Sequence, residues 1–214
     1  MKTILFDLDG TLIDSEEGVT KSVQYSLRKM GIEENDLEKL RVFIGPPLLD
    51  SYMRYYGMSE EQAKDGIRFY RERFEETGYQ ECLAYPYVKE ILMHLKEHGY
   101  RIGLASSKPE EFCVSILEML EISDYFDVVA GASMDGKIGE KVQVLNEALK
   151  RFSIQPEDAV LIGDTRFDAA GAAMIHMPCI GVSYGFGTAE ELIENGCTAV
   201  FDTLEEVERY LLRG

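Results

Sequence analysis

Short apolar runs bounded by turn residues recur along the chain, at 3–8, 100–105, 127–131, 159–163 and 178–183. Each has strand length, and each ends in polar or glycine-containing sequence. Between the later runs the apolar positions switch to helical spacing. Val88, Ile91, Leu92 and Leu95 mark one helix, stopped by Gly99. Ile116, Met119 and Leu120 mark another, with Pro109 as its first-turn proline, and Val142, Leu145, Leu149 and Phe152 mark a third. Thr188 with Glu191 and Thr203 with Glu206 read as capping boxes that open two C-terminal helices. Strands alternating with helices predict an α/β fold built on a doubly wound parallel sheet.

Residues 16–82 break that alternation. Val19, Val23, Leu27 and Met30 carry helical spacing up to Gly31, and Ser59 with Gln62 opens a helix bearing Ala63, Ile67, Tyr70 and Phe74, which ends at Gly78. No convincing strand pattern interrupts them. The expectation is therefore an all-helical cap domain over 16–82, inserted into an α/β core made of 1–15 and 83–214.

Composition narrows the partners. The chain has 214 residues, 45% of them hydrophobic, enough for a packed core with a modest second lobe. Its 39 acidic and 22 basic side chains leave a formal charge of 22 − 39 = −17, which repels nucleic-acid backbones and anionic membranes. Neither is expected as a partner. An anionic small ligand would be repelled at long range too, so it needs local donors and a metal. Cys82, Cys113, Cys179 and Cys197 are scattered with no CxxC spacing, which reads as reduced thiols in a cytoplasmic protein. No signal peptide and no stretch near the ~20 apolar residues of a membrane span is present.

The strand ends carry the chemistry. The first run, Ile4-Leu5-Phe6, stops at Asp7-Leu8-Asp9-Gly10-Thr11. Two carboxylates spaced two apart project the same way from an extended backbone, and a buried carboxylate needs a metal, a ligand or donors. Ile102–Ala105 runs into Ser106-Ser107-Lys108-Pro109. Val128–Gly131 leads through Asp135-Gly136 to Lys137 and Lys141. Val160–Gly163 ends in Asp164, with Asp168 four residues later. In a parallel sheet these ends share one edge, where open α/β sheets keep their ligands. Carboxylates suit a hard cation such as Mg²⁺; a hydroxyl and backbone amides suit phosphate oxygens; a lysine neutralises charge.

The set Asp7-x-Asp9-x-Thr11, Ser106, Lys141 and Gly163-Asp164-x-x-x-Asp168 resembles the haloacid dehalogenase superfamily. Phe43-Ile44-Gly45-Pro46-Pro47-Leu48 and Tyr184-Gly185-Phe186-Gly187 are similar to its phosphoglycolate phosphatase and 5′-nucleotidase-like group with a helical cap. The resemblance implies a Mg²⁺-dependent hydrolase of small phosphorylated metabolites: phosphoglycolate, nucleoside monophosphates or sugar phosphates. It implies Asp7 as nucleophile through an aspartyl-phosphate, and Asp9 as general acid and then base. It implies metal ligation by the Asp7 side chain, the Asp9 carbonyl and Asp164, with Asp168 in support, and phosphoryl binding by Ser106 and Lys141. The cap would close over the substrate, and the protein would be a monomer or homodimer. A phosphomutase of the β-phosphoglucomutase type and a non-catalytic regulatory module on the same fold are the rivals.

Several residues read more plainly. Lys141, just before the helix that starts near Val142, matches the spacing of the 5′-nucleotidase-like group better than Lys137 does; Lys108 is assigned to the turn or the surface. Thr11 shapes the strand-end turn. His94 and His98, spaced i,i+4, read as a surface pair at a helix C-terminus. Cys113 and Cys179 read as core, and Arg68, Arg71 and Arg73 as a solvated helix face.

Overall fold

The computed structural model describes residues 3–213, and the chain divides into two compact units: residues 1–14 with 84–214, and residues 15–83. The larger unit begins with β1 (Thr3–Phe6) and β2 (Ile13–Asp14). The smaller unit carries α1 (Glu16–Lys29), α2 (Leu48–Tyr56) and α3 (Glu60–Glu76), and β3 (Leu83–Ala84) marks the return. Then follow α4 (Val88–Glu97), β4 (Arg101–Pro109), α5 (Glu110–Met119), β5 (Val128–Ala132), α6 (Lys141–Phe152) and β6 (Ala159–Gly163). The chain ends with α7 (Arg166–Met174), β7 (Cys179–Val182), α8 (Ala189–Glu194), β8 (Ala199–Phe201) and α9 (Leu204–Leu212).

Six strands form one parallel sheet in the order β5-β4-β1-β6-β7-β8, an α/β architecture with helices between the strands. All four residues of β1 are buried, as a central strand covered on both faces requires. Leu5 and Leu161 pack with Val144, Leu145, Ala148 and Leu149 of α6 and with Ala169 and Ala172 of α7. Successive residues of a strand face opposite ways, so Ile4, Phe6 and Ile162 fill the other side. The strand order reverses at β1, whose neighbours are β4 and β6. That reversal opens a crevice at the carboxyl ends of these three strands.

The helix patterns run close to the expected spans, with instructive differences. Pro109 is the residue before α5, not its first helical residue, and it ends β4 instead. Thr188 and Thr203 each accept from the backbone N–H three residues on. The Glu206 carboxylate, however, reaches the N–H of Asp202 rather than that of Thr203. Two elements carry no clear sequence signal. β8 is a three-residue, half-buried edge strand. α2 buries Ser51 and Tyr52, so its inward face does not read as apolar.

In the smaller unit, α1 packs on α3 through Val23, Leu27, Ala63, Tyr70 and Phe74. The Ser59–Gln62 capping box that opens α3 is complete. Its buried polar groups are hydroxyls: Tyr52 donates to Ser26 Oγ at 2.8 Å, and Ser26 donates to the Gly66 carbonyl at 2.7 Å. Arg73 departs from the solvated-face expectation. Its guanidinium is four-fifths buried and forks onto Glu81 at 2.9 Å, because the turn after α3 brings that carboxylate back alongside. No helix among the described residues is long and apolar enough to cross a membrane.

Candidate active site

Register assembles the site. Phe6 lies across from Leu104 of β4 and Ile162 of β6, so Asp7 comes level with Ala105 of β4 and with Gly163, the last residue of β6. The Asp7 N–H still donates to the Ile162 carbonyl at 2.9 Å, which fixes its side chain at the strand tips. Asp164 follows β6 directly, and Asp168 sits in the first turn of α7, where its Oδ2 accepts from the Thr165 N–H and hydroxyl. Carboxylate oxygens of Asp7, Asp164 and Asp168 all lie within 4.8 Å of one another, and all three residues are buried.

Lys141, first residue of α6, reaches into this cluster. Its Nζ stands 2.6 Å from Asp7 Oδ1, 2.6 Å from Asp168 Oδ1 and 3.0 Å from the Ala105 carbonyl. A Cβ on Gly171 of α7 would press against the Lys141 Cγ at 2.7 Å, so glycine there provides the channel for the lysine stem. Thr11 donates to Asp164 Oδ1 at 3.2 Å, and the Phe186 N–H donates to Asp164 Oδ2 at 2.8 Å. Ser106 is buried within β4, just before its register shift.

The electrostatics of the cluster suit a cation. Burial pushes the Asp7 carboxyl up to about 7, aided by the charges of Asp168 and Asp9 and opposed by Lys141. Burial, then Asp168 and Asp7, raise Asp164 well above the usual carboxylate range, against the Phe186 and Thr11 hydrogen bonds. For Lys141 the cost of burial is outweighed by Asp168 and Asp7, so its ammonium is held more firmly charged than an ordinary lysine. Were all three carboxylates ionised, the one ammonium would leave −3 + 1 = −2 at this buried cluster. A divalent cation would neutralise that residue of charge, and an all-oxygen donor set suits a hard one.

Comparisons with known proteins agree with this geometry. Residues 4–182 match the family model described as haloacid dehalogenase-like hydrolase. The chain belongs to the haloacid dehalogenase-like hydrolase family. It is 40% identical over 189 residues to a 5′-nucleotidase of Pseudomonas aeruginosa, covering 88% of this chain and 86% of that one. It is 32% identical over 210 residues to the tyrosine-protein kinase PtkA of Mycobacterium tuberculosis, covering 97% of this chain and 72% of that one. Further relatives are named phosphoglycolate phosphatase. Among solved structures, a predicted phosphatase from Clostridium acetobutylicum superposes with a TM-score of 0.96 at 42% identity, covering 100% of this chain and 99% of that one. The protein is accordingly a phosphoric monoester hydrolase of this family.

Within this haloacid dehalogenase-like hydrolase, some expected residues stand elsewhere than the sequence suggests. The chain leaves extended geometry after β1, and the Leu8 carbonyl collects the N–H groups of Thr11, Leu12 and Ile13 in a tight turn. The Asp9 carboxylate pairs with Lys108 Nζ at 2.5 Å, beside the three-carboxylate cluster. Lys108 is thus neither a turn nor a surface residue; a bulge in β4 between Ser106 and Pro109 turns it inward. Lys137 is exposed and pairs with Asp135 at 2.7 Å. His94 is not a plain surface residue either, since its Nδ1 meets the buried Glu208 of α9 at 2.7 Å. Cys113 and Cys179 are buried thiols of the core.

Proposed function

We propose that this phosphatase hydrolyses small phosphomonoesters with Mg²⁺, through an aspartyl-phosphate on Asp7. The observation that carries the reading is the gathering of three buried carboxylates, Asp7, Asp164 and Asp168, with the single ammonium of Lys141 between Asp7 and Asp168. Asp7, the Asp9 carbonyl and Asp164 would hold the cation, with Asp168 steadying both it and Lys141. Mg²⁺ bound there supplies charge neutralisation to the phosphoryl oxygens.

In the first half-reaction a carboxylate oxygen of Asp7 forms a bond to phosphorus as the ester P–O bond breaks. Asp9 gives a proton to the departing alkoxide. Lys108 Nζ pairs with Asp9 Oδ1 at 2.5 Å and holds that carboxyl in place. In the second half-reaction Asp9 takes a proton from water, whose oxygen attacks phosphorus; inorganic phosphate leaves and the Asp7 carboxylate is restored. Ser106 and Lys141 stabilise the equatorial oxygens, where transition-state charge spreads. A nucleoside monophosphate, phosphoglycolate or a sugar phosphate is the substrate class, and the 40% identical relative named 5′-nucleotidase puts the first at the head of the panel. Buried thiols throughout the chain suit a cytoplasmic setting.

The test is phosphate release from these three ester classes, with Mg²⁺ and with a chelator. Metal-dependent release from at least one class is expected. Two other results would replace the reading: isomerisation of a hexose 1-phosphate faster than its hydrolysis, or transfer of the ATP γ-phosphoryl group to tyrosine without ester hydrolysis. Release that is indifferent to the chelator would remove the metal from it.

A further inference from the structure

The segment Tyr184-Gly185-Phe186-Gly187, which takes no part in the chemistry above, converges on one of the cation-facing carboxylates. It follows β7, which is anchored to β6 by the pairs Ile162–Ile180 and Gly163–Gly181. At its far end Thr188 caps α8. Between these fixed points it makes two contacts toward the site. The Phe186 N–H donates to Asp164 Oδ2 at 2.8 Å. The Tyr184 hydroxyl donates to the Thr11 carbonyl at 2.6 Å, and Thr11 in turn donates its side-chain hydroxyl to Asp164 Oδ1.

We infer that Tyr184 and the Gly185–Phe186 backbone are positioning groups that fix the rotation of Asp164 for cation binding. The inference rests on the proposed metal role of Asp164. A carboxylate offers about four lone-pair sites, two on each oxygen. Here each oxygen accepts one hydrogen bond from a rigid partner, so the remaining lone pairs have one available direction. Without these partners the carboxylate would turn about its Cβ–Cγ bond, and ordering it would weaken cation binding.

Steric features lock the same arrangement. A Cβ on Gly185 would collide with both Asp164 Oδ2 and the Gly10 carbonyl. Gly10 itself has φ +83°, and a Cβ there would run into Asp164 as well. Glycine at 10 and 185 therefore lets two loops close on Asp164 from either side. The Tyr184 ring meets Tyr85 edge-on at 4.8 Å, and the Tyr85 N–H donates to the Leu12 carbonyl at 3.0 Å. Both tyrosines thus fasten the turn that carries Thr11.

The experiment is calorimetric titration of Mg²⁺ into the purified full chain and its variants, with the metal-free thermal midpoint measured alongside. Tyr184→Phe removes only the hydroxyl and should weaken Mg²⁺ binding about tenfold; Gly185→Ala displaces Asp164 and should weaken it by about a hundredfold. Asp164→Ala should abolish binding. If Tyr184→Phe titrates like the wild type while Asp164→Ala does not bind, the inference fails and the metal reading stands. A lowered metal-free midpoint with unchanged affinity would likewise overturn it, because that is a purely structural role. If the wild type itself takes up no Mg²⁺, the parent reading falls and takes this one with it. Should Gly185→Ala fail to fold, Tyr184→Phe alone decides.

Discussion

The two units bury polar groups of different kinds. In the larger unit the buried polar side chains include Asp7, Lys108, Lys141, Asp164, Asp168 and Glu208, whereas those of the smaller unit are Ser and Thr hydroxyls with Tyr52 among its buried rings. A buried hydroxyl is satisfied by one or two neutral hydrogen bonds, and Ser26 and Tyr52 have them. A buried charge costs far more, and the Asp7 cluster sets three buried carboxylates against one ammonium. Stability alone would remove such a cluster. The contrast therefore separates a packing interior from a working one, without reference to any motif.

Four measurements sharpen or break that contrast. Asp7→Asn should cost about 10⁴-fold or more in turnover while leaving the circular dichroism spectrum unchanged, since it deletes the proposed nucleophile. Substantial residual turnover would move the covalent step elsewhere. Lys141→Met should lower kcat by about 10²–10³-fold. It should also destabilise the metal-free protein by about 3 kcal/mol, because Asp7 and Asp168 lose their shared counterion. Lys137→Ala, at an exposed pair, should shift stability by no more than about 0.5 kcal/mol and leave turnover intact. Equal losses from both lysines would erase the distinction between them.

The third measurement is a pH series. Asp7 rises from 3.8 to about 7 on folding, so between those values the folded chain binds more protons than the unfolded one. This contribution is complete below about pH 4 and is lost as pH climbs through about 7, by roughly 1–3 kcal/mol in the metal-free protein. Mg²⁺ competes with those protons, so it should raise the thermal midpoint more at pH 8 than at pH 5. A larger rise at pH 5 would contradict a carboxylate-bound cation. The fourth is Tyr52→Phe in the neutral interior, expected to cost about 1 kcal/mol in denaturant titration with turnover unaffected.

Much of the architecture is legible locally. The runs ending at Phe6, Gly163 and Val182 are strands because nearly every position is buried on both faces, which leaves an unbroken apolar signature. α2 and β8 escape notice for the opposite reason: one hides Ser51 and Tyr52 inward, and the other is short and only half covered. At the site, Asp7, Asp164 and Lys141 announce themselves through their positions just past strands or at a helix start. Lys108 does not, because its inward turn depends on a bulge whose register is set by pairing with β5. Gly171 is silent as well, since it acts on Lys141, a residue far away in sequence.

Taken alone, the order of residues determined which strands form, which carboxylates and lysines stand at their ends, and that a helical segment interrupts the sheet. These follow from periodicity and from the cost of burying charge, both local properties. The tertiary structure decided which charges meet. That Lys141 serves Asp7 and Asp168, that Lys108 serves Asp9, and that Phe186 and Thr11 share Asp164 all depend on strand register and loop closure. Coulomb and hydrogen-bond energies fall off within a few ångströms, so these pairings exist only once distant segments are packed together.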